Sequence, residues 1–110
     1  MNRVDQNIQK ELELIKESVL KTVPAEAIYL FGSYAYGTPN EESDFDIYVV
    51  VPENAGDLIE LQADIRMDLR GKRSRDMDLL MGRPSVFNRR KNGPTLERVI
   101  AQKGVLLHGV

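Results

Sequence analysis

Apolar residues recur at helical spacing near the start of the chain, where Ile8, Leu12, Ile15 and Val19 fall on one side of residues 4–21 and Gln, Lys and Glu fill the other. This spacing predicts an amphipathic helix, ended by Pro24, which disfavours helical geometry at Val23. Residues 27–31, Ala-Ile-Tyr-Leu-Phe, then read as a first strand. Gly32 interrupts it, and Ser33 is placed to cap a short helix or turn whose free N–H groups would face an anion. Residues 38–43, with Pro39 and Asn40, read as loop.

The second strand, residues 44–51, puts Asp44, Asp46, Tyr48 and Val50 on one face and Phe45, Ile47, Val49 and Val51 on the other. Beyond its opening carboxylates it is apolar on both faces, as expected of a central strand covered on both sides, and Pro52 closes it. Leu58, Leu61, Ile65 and Leu69 trace a second helical stripe through residues 57–70, with Gly71 as its stop. Residues 76–81 form a third strand with Asp76, Asp78 and Leu80 on one face; residues 84–90 a short helix opened by Pro84. A final helix over residues 95–103, with Thr95 or Asn92 as cap and Gly104 as stop, precedes a short strand at residues 105–107. Strands alternating with helices predict an α+β fold, a small mixed β-sheet flanked by helices.

The chain of 110 residues has the length of one domain, taken as residues 1–110. No apolar stretch reaches the roughly 18–20 residues of a membrane helix, and no secretory signal opens the sequence. The absence of cysteine excludes a disulfide framework and thiolate metal sites, and fits a cytoplasmic setting. The net charge of −2 is unevenly spread. Residues 66–91 hold nine of the fifteen Lys and Arg but three of the seventeen acidic residues, so this segment is about +6 and the remainder about −8. The basic run Lys72-Arg73-Ser74-Arg75 reads as a soluble connection, and nucleic-acid binding is not expected of a chain with this overall charge. Glu60, Asp64 and Asp68 read as a solvated helix face in which Asp68 leans toward Lys72. His108 has no partner at ligand spacing, and Tyr48 belongs to the core.

The chemistry concentrates at residues 28–51. Asp44 and Asp46, on one face of a strand with Cα atoms roughly 6.5–7 Å apart, repel each other and lose hydration at the mouth of an apolar strand. A hard divalent cation such as magnesium resolves that conflict and in turn holds phosphate oxygens, which makes this a metal-dependent nucleotide site.

Gly32-Ser33, ten intervening residues, Asp44-x-Asp46 and a later strand bearing Asp78 resemble the DNA polymerase β-like nucleotidyltransferase superfamily. Within it, Gly32-Ser33-Tyr34-Ala35-x-Gly37 and the short chain resemble the minimal nucleotidyltransferases of prokaryotes, including the antitoxin type. The resemblance implies that Gly32 and Ser33 contact the nucleotide's β and γ phosphates, and that Asp44, Asp46 and Asp78 hold two Mg2+ ions. It also implies that Asp78, preferred to Asp76 because it lies deeper in its strand, helps deprotonate an acceptor hydroxyl. The expected reaction is in-line transfer of a nucleoside monophosphate, AMP from ATP or the corresponding group of another NTP, with pyrophosphate leaving. With no further domain expected to hold a large acceptor, the hydroxyl is placed on a protein partner, such as a HEPN-type toxin, or is recognised by an oligomer. The alternative is a non-catalytic antitoxin that neutralises a partner by binding. One departure stands out: Tyr36 occupies a position often filled by arginine, for which Arg83, Arg89 or Arg90 are candidate substitutes.

Overall fold

The computed structural model describes residues 3–37, 44–72 and 76–109, so the loop expected at 38–43 and the basic residues 73–75 lie outside the described residues. In chain order the elements are α1 (Arg3–Thr22), β1 (Ala27–Phe31), α2 (Ser33–Tyr36), β2 (Phe45–Val50), α3 (Leu58–Asp68), β3 (Met77–Gly82), α4 (Pro84–Arg90), α5 (Leu96–Lys103) and β4 (Val105–His108).

Local chemistry sets the ends of these elements. The last turn of α1 closes with the Thr22 hydroxyl donating to the Ser18 carbonyl and Val23 N–H donating to that of Val19, before Pro24 prevents continuation. Asp57 caps α3, its carboxylate accepting from Ile59 and Glu60 N–H at 2.9 and 3.2 Å. Thr95, the first of the two cap candidates, caps α5 by accepting from Arg98 N–H.

The four strands lie in the order β3-β2-β1-β4. The sheet is mixed: β1 pairs antiparallel with β2 and β4, while β2 and β3 run parallel. The two-faced apolar pattern of residues 44–51 therefore belongs to an inner strand. One face, with Ile28, Phe45, Ile47 and Val49 fully buried, packs against Ile15 and Val19 of α1 and Ile65 of α3. On the other, Phe31, Tyr48 and Val50 meet Phe87 of α4 and Ile100 of α5. Lys21 reaches Asp68 at 2.9 Å and joins the ends of α1 and α3, with Lys72 on the same carboxylate at 3.7 Å.

The β3 edge has a feature invisible in the apolar pattern. Gln62 and Arg66, one turn apart on α3, donate to the carbonyls of Leu79 and Met77, two residues apart on β3. A helix pitch thus matches a strand repeat, and α3 satisfies edge carbonyls that a neighbouring strand would otherwise seek. At the far end of β3, Arg83 donates to the carbonyls of Pro52 and Gly56.

Gly82 carries the tightest contact of the second layer. A Cβ there would lie 2.1 Å from the Tyr48 hydroxyl, which donates to Glu97 at 3.3 Å, while Arg90 pairs with the same Glu97 at 3.0 Å. Burial and the adjacent Glu97 charge push the Tyr48 hydroxyl up to about 12, so it remains a donor throughout the physiological range. Burial alone would raise the Glu97 carboxyl; Arg90 and Tyr48 outweigh it and hold that carboxyl below its ordinary range. Gly82→Ala is expected to lower unfolding stability by about 1–3 kcal/mol through overpacking. In denaturant titrations Tyr48→Phe should cost about 0.5–1.5 kcal/mol alone, and combining the two should cost less than their sum, because removing the hydroxyl makes room for the methyl.

Candidate active site

The N-terminal ends of β2 and β3 carry the acidic residues. Parallel register sets Asp46 directly opposite Asp78, and antiparallel register sets Phe31, the last residue of β1, opposite Asp46 on its other side. Neighbouring strands lie about 4.8 Å apart, so two carboxylates project from adjacent strands on one face. Asp44 is exposed and just precedes β2, whose first residue, Phe45, donates its N–H to the Asp76 carbonyl at 3.0 Å. The strand thus starts one residue later than the alternation suggests. Asp76 likewise precedes β3. The α4–α5 layer covers this sheet face over Tyr48 and Val50, while Asp46 is partly exposed and Asp78 exposed.

Gly32 completes the arrangement from the end of β1. Its φ of 74° lies in the region that favours glycine, and a Cβ on it would stand 2.0 Å from Asp46 Oδ2. The chain passes the carboxylate only because that position has no side chain. Gly32 is also the N-cap of α2, with its carbonyl accepting from both Ala35 and Tyr36 N–H at 3.0 Å. This corrects the expectation that Ser33 caps the turn: Ser33 is the first helical residue, and no side chain caps α2. Gly37, with φ 84°, closes the turn by returning its N–H to the Ser33 carbonyl. Tyr34 packs its ring on Phe45, centroids 4.8 Å apart, which fixes the turn to β2, whereas Tyr36 is exposed.

Burial first, then the charges of Asp78 and Asp44, raise the Asp46 carboxyl above its ordinary value of 3.8. The folded chain therefore holds an electrostatic conflict that a cation relieves. Among the described residues no group of three His, Cys, Asp or Glu side chains could by itself hold a metal ion. Magnesium, however, keeps several waters and is commonly bound by one or two carboxylates together with substrate phosphates. Adjacent oxygen donors under mutual repulsion fit such an ion.

Two of the candidate substitutes for an arginine at position 36 are engaged elsewhere. Arg83 is bound at the opposite end of β3 and Arg90 is paired with Glu97. The clamp of Gln62 and Arg66 on β3, next to Asp78, was not read from sequence. Its available signal is their four-residue spacing on the polar flank of α3.

The family model for a nucleotidyltransferase domain matches residues 12–107, and the chain belongs to that family. Solved structures share the fold. A toxin–antitoxin crystal structure with AMP-PNP is 25% identical over 89% of this chain and 73% of that one, with a TM-score of 0.63. A variant of the toxin–antitoxin MntA-HpeT is 28% identical over 87% of this chain and 70% of that one, at TM-score 0.59. A second variant of that complex, at 22% identity over 91% and 73% and TM-score 0.60, shares the fold alone. No curated protein matches the chain. Among the described residues no helix is long and apolar enough to cross a membrane.

Two outcomes follow from the packing of Asp46. Without metal, Asp46→Asn should melt higher than wild type at pH 7. The carboxylate's folded-state cost is fully felt above its raised pKa and vanishes below about 3.8, so the gain should shrink as pH falls through that window. Gly32→Ala, checked by thermal melts, should lose at least about 1–2 kcal/mol from positive φ alone, before the clash with Asp46.

Proposed function

We propose that this chain is a magnesium-dependent nucleotidyltransferase that moves AMP from ATP to a hydroxyl on a partner protein. The observation that carries the reading is the β2–β3 register: Asp46 faces Asp78 across two parallel strands with Gly32 pressed against its carboxylate. The Gly32–Gly37 turn and the acidic residues of β2 and β3 are thereby brought to one corner of the sheet.

In this reading Asp44, Asp46 and Asp78 are the ligands of two magnesium ions, which when bound stabilise charge on the attacking and leaving oxygens. Gly32 and Ser33 hold the β and γ phosphates through backbone N–H groups and the Ser33 hydroxyl, orienting the α-phosphorus toward the acceptor. Asp78 takes the acceptor proton, a necessary step because a hydroxyl is a poor nucleophile at neutral pH. The acceptor oxygen bonds to the α-phosphorus as the bond to the bridging oxygen breaks, and pyrophosphate leaves with that electron pair.

Adenine and a protein partner are supported by two of the structural neighbours, both toxin–antitoxin structures and one of them with the adenine nucleotide analogue AMP-PNP. A HEPN-type helical toxin is the partner this reading favours, in a cytoplasmic setting that suits a chain without cysteine. A second reading, a non-catalytic antitoxin acting by binding, is favoured by Tyr36 at the arginine position together with the engagement of Arg83 and Arg90 elsewhere.

The two readings separate on incubation with α-labelled ATP, magnesium and the product of the neighbouring gene. Wild type should label that protein, EDTA should abolish the labelling, and Asp44→Asn/Asp46→Asn should reduce it about a hundred-fold or more. If wild type and variant neutralise the partner equally and neither transfers label, the binding reading holds.

A further inference from the structure

The α3 helix is apolar on two sides. Ile65 and Leu69 face the core, yet Ile59 and Met67 on the solvent side are 79% and 68% exposed, the two most exposed large apolar side chains among the described residues. With exposed Ala63 between them at four-residue intervals, they form a ridge along the helix with a small residue at its centre. Such a ridge lets a second helix approach closely. At its C-terminal end lies a cleft of about 510 Å³ lined by Ala63, Arg66, Met67, Arg70 and Gly71, combining an apolar floor with two guanidinium groups. Arg66 is held in place by its bond to the Met77 carbonyl, one residue before Asp78. The surface therefore lies beside the strand that carries the proposed base.

We propose that this face of α3 docks an amphipathic helix of the acceptor protein, with an apolar seam on Ile59, Ala63 and Met67 and a carboxylate in the arginine cleft. The inference rests on the transfer reading and supplies its missing element, a way for this chain to hold a large acceptor beside Asp78. Charge complementarity selects the occupant, because the ridge ends in a cleft lined by the guanidinium groups of Arg66 and Arg70, and a carboxylate is the group that pairs with a guanidinium fork. Nucleic acid would use the arginines but gain nothing from an aliphatic ridge. A second copy could offer the acidic flank of α1, with Glu13 and Glu17, but among the described residues that flank sets only Leu14 against the ridge.

The test uses the full chain with Met67→Glu and Arg70→Glu, both solvent-exposed positions, and the neighbouring-gene protein as probe. Calorimetry without nucleotide should show binding by wild type and weakening of about ten-fold or more, equivalent to about 1.4 kcal/mol, in each variant. AMP-PNP affinity and the labelling rate at saturating partner should stay at the wild-type level. Unchanged partner binding in both variants, or no binding by wild type, would overturn the docking surface. So would concentration-dependent self-association of wild type that Met67→Glu abolishes, or binding of an RNA oligonucleotide that Arg70→Glu alone weakens while partner binding persists. Binding lost in the variants, with no label transferred by wild type, would sustain the surface and overturn the transfer reading instead.

Discussion

The contact between Gly32 and the Asp46 carboxylate is the constraint to which the rest of this structure answers. A carboxylate at the mouth of an apolar strand needs water or a cation, and here one side is closed by backbone with no room for a Cβ. β1 must end where it does so that Phe31 pairs with Asp46 and the chain can turn at Gly32. α2 must be a single tight turn, fixed to β2 by Tyr34 on Phe45. This close approach sets the Gly32 backbone directly against the Asp46 carboxylate.

The sheet turns that local contact into a site. Parallel pairing of β2 with β3 is what brings Asp78 opposite Asp46. A parallel pair needs a crossover, which α3 provides, and α3 also secures the outer edge of β3 through Gln62 and Arg66. The electrostatic cost concentrated on Asp46 is tolerated because buried aliphatic and aromatic packing on both faces holds the strands in register. Packing on both faces thus offsets the cost of burying like charges at this corner.

Much of this was legible in the sequence because helix and strand periodicities differ and because special residues punctuate them. The α1 and α3 stripes, the proline that ends α1, the Thr95 cap and the two-faced apolar β2 each express a local rule that the folded chain obeys. The Ser33 cap failed as a reading because the turn starts one residue earlier, at Gly32, where the close approach to Asp46 on another strand leaves no room for a side chain. Two of the three candidate arginine substitutes are engaged for a similar reason, since Arg83 and Arg90 are claimed by the Pro52 and Gly56 carbonyls and by Glu97, partners remote in sequence.

The sequence by itself determined which residue types could do chemistry here and on which kind of element each would sit. The alternation of β2 and the spacing of Gly32, Asp46 and Asp78 follow from properties each segment carries alone. Only the tertiary structure decided strand order and register, and with them that Asp46 meets Asp78 and that Gly32 lies against Asp46. It also decided that α3 leaves Ile59 and Met67 in solvent beside the β3 edge. These are relations between segments far apart in the chain, set by how whole faces pack.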